Sequence, residues 1–423
     1  MSFKVNNNLF INFLLTIIAL GLVISSGSLF RYVYSYNLIM FITIAMIAIV
    51  VFYQFFIPTD DHIDKTDNKT NSINISGLIL ILFFIFIPTL SDVYNQVLSY
   101  EITYFHIIML LLSFLIGADT RKTILSYYLR IIVILSFISL LYFFTELLFG
   151  LPSFIPYYGI PETKLSHFYY IWSKPIHQFI LIRNQSIFFE PGVFGFHLIV
   201  STLLAYKEKN RIFITILIIA CLTSMSTTVY IFLSLLVVYQ LLWGENKLLF
   251  IGIMSISFII ILGIIKVIFG SLDMLVYLVK IITDKFFINS QSYASMQERT
   301  HFFVESMKLF FDNIILGAGH YAADIELKNV GSETSALSGL LAELGLFGAV
   351  CIFLYVRFFK HFKLLSLPIA LIWLNGEFMQ YTSISLFILT HMVDEISIQL
   401  FPISKLDRDI PSRYSKHITN YSQ

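Results

Sequence analysis

Residues 183–206 of the chain read RNQSIFFEPGVFGFHLIVSTLLAY, an apolar stretch that is interrupted near its start. It begins with Arg183, and Glu190, Pro191 and Gly192 form the interruption. Proline fixes φ and lacks an N–H, so this start is unusual for a membrane helix. An ionisable residue inside an apolar span costs about 2.5–3.5 kcal/mol on insertion scales and therefore points to a functional site. Glu190 is the first candidate for such a site.

The composition of the whole chain is typical of helical membrane proteins. Of its 423 residues, 57% are hydrophobic and 13% are charged, and the mean hydropathy is +0.82. Apolar runs that could cross a hydrocarbon core of about 30 Å recur along the sequence. The net charge of +1 argues against a nucleic-acid-binding protein. Cys221 and Cys351 both lie in apolar runs, so they predict neither a disulfide framework nor a metal site.

The apolar runs predict an all-α, polytopic membrane protein with about 11 or 12 spans. The spans are expected at about 9–25, 37–57, 77–90, 102–118, 124–149, 186–206, 211–225, 227–243, 248–269, 336–356 and, as one or two segments, 364–392. The basic residues of the short loops fall on one side of such a chain if both termini are cytoplasmic. They include Arg121, Lys122, Lys207, Lys209, Arg211, Arg357, Lys360 and Lys363. The first apolar run is expected to be an uncleaved helix.

The same pattern divides the chain into five segments. They are N-terminal transmembrane helices (1–149), a first large extracytoplasmic loop (150–185), central helices with the Glu-Pro-Gly span (186–269), a second large extracytoplasmic loop (270–335), and C-terminal helices with a cytoplasmic tail (336–423). Loops of this length are usually functional or disordered. Their aromatic content argues against disorder, so we expect both large loops to have a functional role.

Polar residues recur on one face of the span that follows Arg183. With helical spacing, Glu190, His197 and Ser201 fall on the same face. We expect this face to point into the helix bundle or a wet cavity, where Glu190 and His197 would serve a site. In the alternative interpretation the face only packs helices, with Glu190 neutral or paired to Arg183. Arg183 also suits an anchor at the membrane interface.

An amphipathic helix is predicted at residues 292–312 of the second large loop. Its apolar stripe consists of Met296, Phe303, Met307 and Phe310. Arg299 falls inside this stripe, and a cation turned toward the protein needs an anionic partner. The alternative is an arginine that snorkels from a helix lying on the membrane surface.

Two glycines and a histidine follow that helix. Gly317-Ala-Gly319 predicts a helix stop and a tight turn. His320 comes next and is a candidate general base or proton donor, or only a loop residue. The span 336–356 is rich in small residues, which favour close helix packing, and it contains a second buried-span acid, Glu343.

Several common signatures are missing from the sequence. We find no Walker A motif, no zinc-type histidine pair with a glutamate, and no serine nucleophile elbow. The chain is therefore not expected to use a nucleotide-activated donor.

The order of these motifs resembles the O-antigen polymerase and ligase superfamily. The matching positions are Arg183, Phe188, Glu190, Pro191 and Gly192, then Arg299, Phe310, Gly317 and Gly319, and finally Glu343, Gly345 and Gly348. Two departures are visible. Ser186 stands where glycine is frequent, and the usual His-Asn-like pair before the late span is missing.

The resemblance implies a GT-C-like, metal-independent glycosyltransferase of the bacterial cytoplasmic membrane that needs no cofactor. Its substrate would be an oligosaccharide on undecaprenyl diphosphate, met at the outer face of the bilayer, with a flippase and a chain-length regulator as conceivable protein partners. The expected product is O-antigen, capsular or exopolysaccharide. A ligase that transfers the finished polymer is the alternative, and a lipid-linked oligosaccharide flippase is the alternative from another class.

The resemblance also implies roles for individual residues. Arg183 and Arg299 would hold the diphosphate. His197, Gly317 and Gly319 are the further substrate-binding candidates. Glu190 would orient Arg183 or accept the proton of the acceptor hydroxyl, and His320 is the second candidate for that base.

Overall fold

The structure, a computed structural model, describes most of the predicted helices and part of both large loops. The described residues are 7–26, 28, 36–56, 77–79, 81–82, 86, 100–149, 155–157, 165–168, 172–175, 184–188, 190–244, 247, 252, 255, 291–319, 323, 327, 336–374 and 383–400. All statements about the fold refer to these residues.

The described part of the chain is predominantly helical. The α-helices are α1 (Asn7–Ser25), α2 (Tyr36–Phe56), α3 (Tyr100–Leu115), α4 (Ala118–Phe149), α5 (Pro191–Lys207), α6 (Arg211–Ser224), α7 (Thr227–Trp243), α8 (Gln291–Asp312), α9 (Ala336–Leu344), α10 (Leu346–Phe358), α11 (Ser366–Leu374) and α12 (Ser383–Leu400). A 3-10 helix, Lys360–Leu365, joins α10 to α11.

Most apolar runs form helices near the predicted bounds, with three instructive differences. Helix α5 begins at Pro191, not at residue 186, because Glu190 is still extended. The span 336–356 consists of two helices that are separated at Gly345, whose φ is +57°. The uncertain stretch 364–392 contains α11 and the first part of α12. The runs at 77–90 and 248–269 lie largely outside the described residues.

A small sheet in the first large loop departs from the all-α expectation. Strands β1 (Ile155–Tyr157), β2 (Leu165–Phe168) and β3 (Trp172–Pro175) pair antiparallel in chain order. His167 lies opposite Ile155 on one side and opposite Ser173 on the other. Part of this loop is therefore ordered by local strand pairing.

The helices differ in their ability to cross a membrane. Among the described residues, one helical segment, Ala118–Glu146, is both long and apolar enough to do so. Six further apolar helices have 10–17 residues. The described part of the chain is therefore a helical fold in which one helical segment has the length and apolarity of a membrane span.

Helix ends that carry serine and asparagine meet at one end of the bundle, which we call the polar end. The Ser25 hydroxyl donates to Ser383 Oγ at 2.8 Å, joining the end of α1 to the start of α12. The Ser26 hydroxyl accepts from the N–H of Ile384 at 3.3 Å. The segment 184–188 lies here as well, because Ser28 pairs with Phe188 in an isolated β-bridge.

The opposite end of the bundle, the basic end, contains the lysine- and arginine-rich turns. At this end Gln54 donates to Thr120 Oγ1 at 2.7 Å, and the Tyr239 hydroxyl donates to the carbonyl of His361 at 3.1 Å. The Lys363 ammonium lies 5.8 Å from the centre of the Trp243 ring. Chain direction assigns these contacts to one end, since α2, α5 and α7 all run away from the polar end.

Arg121 closes the end of α3 within the basic end. Its side chain is buried, and one guanidinium nitrogen donates to the carbonyls of Ser113 at 3.0 Å, Phe114 at 2.8 Å and Ile116. A cation at a helix C-terminus is favoured by the helix dipole. Arg121 therefore has a structural task besides its place among the basic loop residues.

Large apolar side chains cover the outside of the bundle. They are exposed at regular positions on α1, α2, α4 and α10, and include Phe13, Phe41, Phe52, Phe137, Leu141, Val350 and Phe353. Much of the outward surface of these helices is therefore apolar.

Candidate functional site

A buried segment shortly before Glu190, residues 184–188, forms what we call the platform. The N–H of Asn184 donates to the Thr223 carbonyl at 3.0 Å, and its amide Nδ2 donates to Thr223 Oγ1 at 3.0 Å. Asn184 Oδ1 also accepts from the N–H of Ser186 at 3.3 Å. All five residues are buried, and the bridge to Ser28 holds the other flank. The platform is thus attached to α1 and α6.

Ser186 adopts a left-handed backbone within this platform. Its φ is +52°, in the region that favours glycine. This is the position at which the resemblance leads one to expect glycine. The departure noted in the sequence therefore has a conformational meaning, because a serine here occupies a backbone shape suited to glycine.

Glu190 is the N-terminal cap of α5, and Pro191 occupies the first helical position. Its backbone is extended, with φ −140° and ψ 150°, and its carbonyl accepts from the N–H of Phe194 at 3.2 Å. The half-buried side chain makes no capping hydrogen bond to the helix. The prediction that Glu190 lies inside the apolar helix was therefore wrong. The carboxylate stands at the helix N-terminus, where the dipole favours a negative charge.

His197 is enclosed by the bundle. Its Nε2 lies 2.9 Å from the Ser26 carbonyl, and Nδ1 lies 2.7 Å from the Tyr128 hydroxyl. A carbonyl can only accept, so Nε2 carries the hydrogen and Nδ1 accepts from Tyr128. The ring also stacks on Phe188 at a centroid distance of 4.4 Å. Because both nitrogens are used within the chain and the side chain is fully buried, His197 ties α5 to α4 and to the end of α1. Its role in substrate binding stays a prediction.

Gly317 and Gly319 form a joint with the end of α9. The N–H groups of Ala318 and Gly319 donate to the carbonyls of Ala342 at 2.8 Å and Glu343 at 3.1 Å. Gly317 and Gly319 have φ values of +75° and +88°, and a Cβ on Gly317 would overlap the Glu343 carbonyl. The predicted helix stop is confirmed, since α8 ends at Asp312.

The segment that pairs with residues 313–319 includes Gly345, between α9 and α10. The N–H of Leu346 donates to the Ile314 carbonyl at 2.8 Å, so the two chain segments exchange backbone hydrogen bonds. We call residues 313–319 with 342–346 the glycine joint. The N–H of Gly317 is used as well, by the carbonyl of Asn313 at 2.8 Å. Because the N–H groups of residues 317–319 have partners within the chain, the joint is structural, and the expected substrate binding by Gly317 and Gly319 has no free backbone donor there.

Three other predicted site residues have less structural description. Arg183 and His320 lie outside the described residues. Arg299 lies in α8, seven residues before the buried Ser306 and four before the exposed Phe303, so position 299 falls at the edge of the protein-facing side of the helix. The meeting of this group with Glu190 in one cavity stays a prediction.

Sequence reasoning missed the residues that hold the platform and His197. Asn184 and Thr223 hold the platform, whereas the Tyr128 hydroxyl and the Ser26 carbonyl hold His197. A usable signal existed for Tyr128, because a tyrosine well inside an apolar run needs a partner for its hydroxyl. No comparable signal existed for Ser26 or Thr223, whose partners come from distant parts of the chain.

Comparison with known proteins gives no further guide to the family. No protein-family model, curated protein or solved structure matches this chain.

Proposed function

We propose that the chain is a polytopic, GT-C-like glycosyltransferase of the bacterial cytoplasmic membrane, with both termini cytoplasmic. It polymerises repeat units carried on undecaprenyl diphosphate into a surface polysaccharide at the outer face. The observation that carries the proposal is the placement of Glu190. Its carboxylate lies at the polar end, on a platform fixed by hydrogen bonds, and is not used to cap its own helix.

The membrane part of the proposal is supported by the two ends of the bundle. Lys207, Lys209, Arg211 and Lys363 cluster at the basic end, as the positive-inside rule expects of a cytoplasmic side. The 17 residues of α5 span about 25 Å, and the platform before it extends the chain toward the outer surface. The exposed apolar side chains then face lipid.

The chemistry requires one base and a stabilised leaving group. The acceptor hydroxyl oxygen forms a bond to the anomeric carbon, the bond from that carbon to the diphosphate breaks, and undecaprenyl diphosphate leaves. Glu190 or His320 takes the proton of the hydroxyl. Arg183 and Arg299 offset the negative charge that develops on the diphosphate, which is how the reaction proceeds without a metal.

The supporting residues act at a distance from the chemistry. His197 and Tyr128 hold α5 in place and thereby fix the direction in which Glu190 leaves the platform. Helix α8 carries position 299, and the glycine joint that follows this helix attaches it to the end of α9. Such positioning matters because small displacements of catalytic groups reduce rates strongly.

The proposal is tested with purified protein in lipid nanodiscs and a repeat unit linked to undecaprenyl diphosphate, with product length read on a gel. Glu190→Gln should lower the rate about 100-fold or more if Glu190 is the base. Glu208→Gln is the matched control, because Glu208 is exposed at the other end of the same helix. Arg183→Lys and Arg299→Ala should each shorten the product, since lysine lacks the bidentate guanidinium.

The same assay separates the alternatives. Wild-type protein that never lengthens the lipid-linked unit, but moves it across the bilayer, is a flippase and contradicts the proposal. Protein that leaves single units unchanged and transfers a finished polymer to a second acceptor is a ligase.

A further inference from the structure

Helix α8 has three distinct sides. The protein-facing side carries the buried residues Phe302, Ser306 and Leu309. A second side is mainly apolar and exposed, with Phe303, Val304 and Phe311, and the exposed Thr300 also lies on it. The third side is polar, with the exposed residues His301, Lys308 and Asp312 and the half-buried Glu305. A helix with protein, apolar and aqueous sides is the pattern of a helix lying at a membrane surface.

The apolar side continues into the turn that follows the helix. Ile314, Ile315 and Leu316 are all exposed, and Ile315 is 69% exposed. These residues belong to the glycine joint and come directly before its two left-handed glycines, Gly317 and Gly319. The turn at residues 313–316, which we call the tip, is therefore the most apolar part of this region.

The tip adjoins the outward surface of α10. The Ile314 carbonyl accepts from the N–H of Leu346, the first residue of α10. Leu346, Val350 and Phe353 are exposed at helical spacing down that helix, so the apolar surface of the tip continues along α10.

The length of α10 gives the depth of the joint in a bilayer. Leu346 precedes Arg357, at the basic end, by eleven residues, or about 16 Å of helix. A hydrocarbon core is about 30 Å thick, so a joint at this height lies within it, toward the outer leaflet.

Non-helical backbone at such a depth must have its polar groups paired within the protein. At residues 317–319 and 346 the glycine joint meets this requirement. The N–H groups of Gly317, Ala318, Gly319 and Leu346 donate to carbonyls at 2.8–3.1 Å. In water these backbone N–H groups would not need carbonyl partners within the protein, because water molecules could accept their hydrogen bonds.

We propose that α8 lies at the outer membrane interface and that residues 313–316 enter the outer leaflet as a short re-entrant tip against the broken span α9–α10. The partner of this surface is the acyl region of the lipid bilayer. The inference rests on the membrane part of the proposed function and deepens it. Position 299 lies at the border between the protein-facing and lipid-facing sides of α8, where the diphosphate of a lipid carrier would be met.

The test uses single introduced cysteines labelled with an environment-sensitive fluorophore. Ile315→Cys reports the tip, Lys308→Cys the polar side of the same helix, and Phe137→Cys the exposed face of α4. Cys221 and Cys351 are buried and stay unlabelled in the folded protein. The full chain is placed in liposomes of phosphatidylethanolamine and phosphatidylglycerol, with or without nitroxide-labelled phosphatidylcholine.

Nitroxide lipids should quench the probe at 315 at least about twofold more than the probe at 308, and iodide in the buffer should show the reverse order. Two results together would overturn the re-entrant tip and leave the membrane assignment intact. Iodide would quench the probes at 315 and 308 equally, and nitroxide lipids would quench the probe at 137. A probe at 137 that lipid does not quench would overturn both. Phe311→Cys, exposed on the same side, replaces Ile315→Cys if that variant does not fold.

Discussion

The platform before α5 and the glycine joint after α8 each hold a left-handed backbone in place, but they use different hydrogen bonds. Each places a left-handed residue next to an acidic one, with Ser186 near Glu190 and Gly317 against Glu343. The platform is held by side chains, through Asn184 and Thr223. The joint is held by exchanged backbone hydrogen bonds.

This difference shows which feature makes glycine necessary. A left-handed backbone costs a residue with a side chain about 1–2 kcal/mol, and the platform tolerates that cost at Ser186. At Gly317 the backbone of Glu343 also occupies the place where a Cβ would stand. The close approach of two backbones, and not the left-handed conformation alone, excludes every other residue there.

The largest effect is expected for Gly317→Ala, which breaks the joint directly. Strain at positive φ and the overlap with the Glu343 carbonyl each cost about 1–3 kcal/mol. We expect a large loss of folded protein, measured as earlier thermal exposure of Cys221 and Cys351 to a thiol-reactive dye. Gly252→Ala is the control, since its Cβ would meet nothing within 4 Å. Equal stability of the two variants would contradict the backbone-contact explanation.

A smaller effect is expected for Tyr128→Phe, which removes a side-chain support beneath the platform. The change leaves His197 Nδ1 buried without its donor, at a cost of about 1–2 kcal/mol. The same thiol assay should show a moderate loss of thermal stability. Tyr127→Phe, on the half-buried neighbouring position, should have almost none. If both substitutions behave alike, the hydrogen bond to His197 does not stabilise the bundle.

Thr223→Val should have a weaker effect still, because it removes one acceptor and keeps the shape of the side chain. A single side-chain hydrogen bond contributes about 0.5–1.5 kcal/mol net, and the backbone bond from Asn184 to the Thr223 carbonyl remains. Thr215→Val, on the exposed part of the same helix, provides the baseline. If Thr223→Val lowers the thermal stability as much as Gly317→Ala, the platform does not tolerate the loss of one hydrogen bond. The contrast with the joint would then be wrong.

The smallest effect is expected for Ser186→Gly. Relief of the left-handed strain favours glycine by about 1–2 kcal/mol, and the greater freedom of glycine in the unfolded chain offsets about 0.5–1 kcal/mol. A slight gain in thermal stability should result. A clear loss would mean that the Ser186 side chain supports the platform more than its backbone strains it.

The helices of the bundle could be predicted because their signal is local. The apolar runs at α1, α2 and α7 have nearly the same length and boundaries as the helices. Asn210 caps α6 with a side-chain oxygen that accepts from Phe213 N–H at 3.2 Å. The sheet at 155–175 could not be read in the same way. Its strands have three or four residues, and Pro156 and Pro175 within them argue against strand formation.

The structural roles of His197 and Gly345 could not be predicted because their causes are distant in the sequence. His197 meets Ser26 and Tyr128, which are 171 and 69 residues away. Gly345 breaks an otherwise continuous apolar run because Ile314 approaches it from the preceding loop. A pattern of residue types within one span contains neither contact.

The hydrogen bond between Ser25 and Ser383 also concerns the order in which the protein is made. The two residues are 358 positions apart, and chains grow at about 5–20 residues per second. Roughly 20–70 s therefore pass between the synthesis of α1 and the arrival of its partner helix α12. During that interval the Ser25 hydroxyl lacks its partner on α12, so the end of α1 reaches its final packing only after nearly the whole chain has been made.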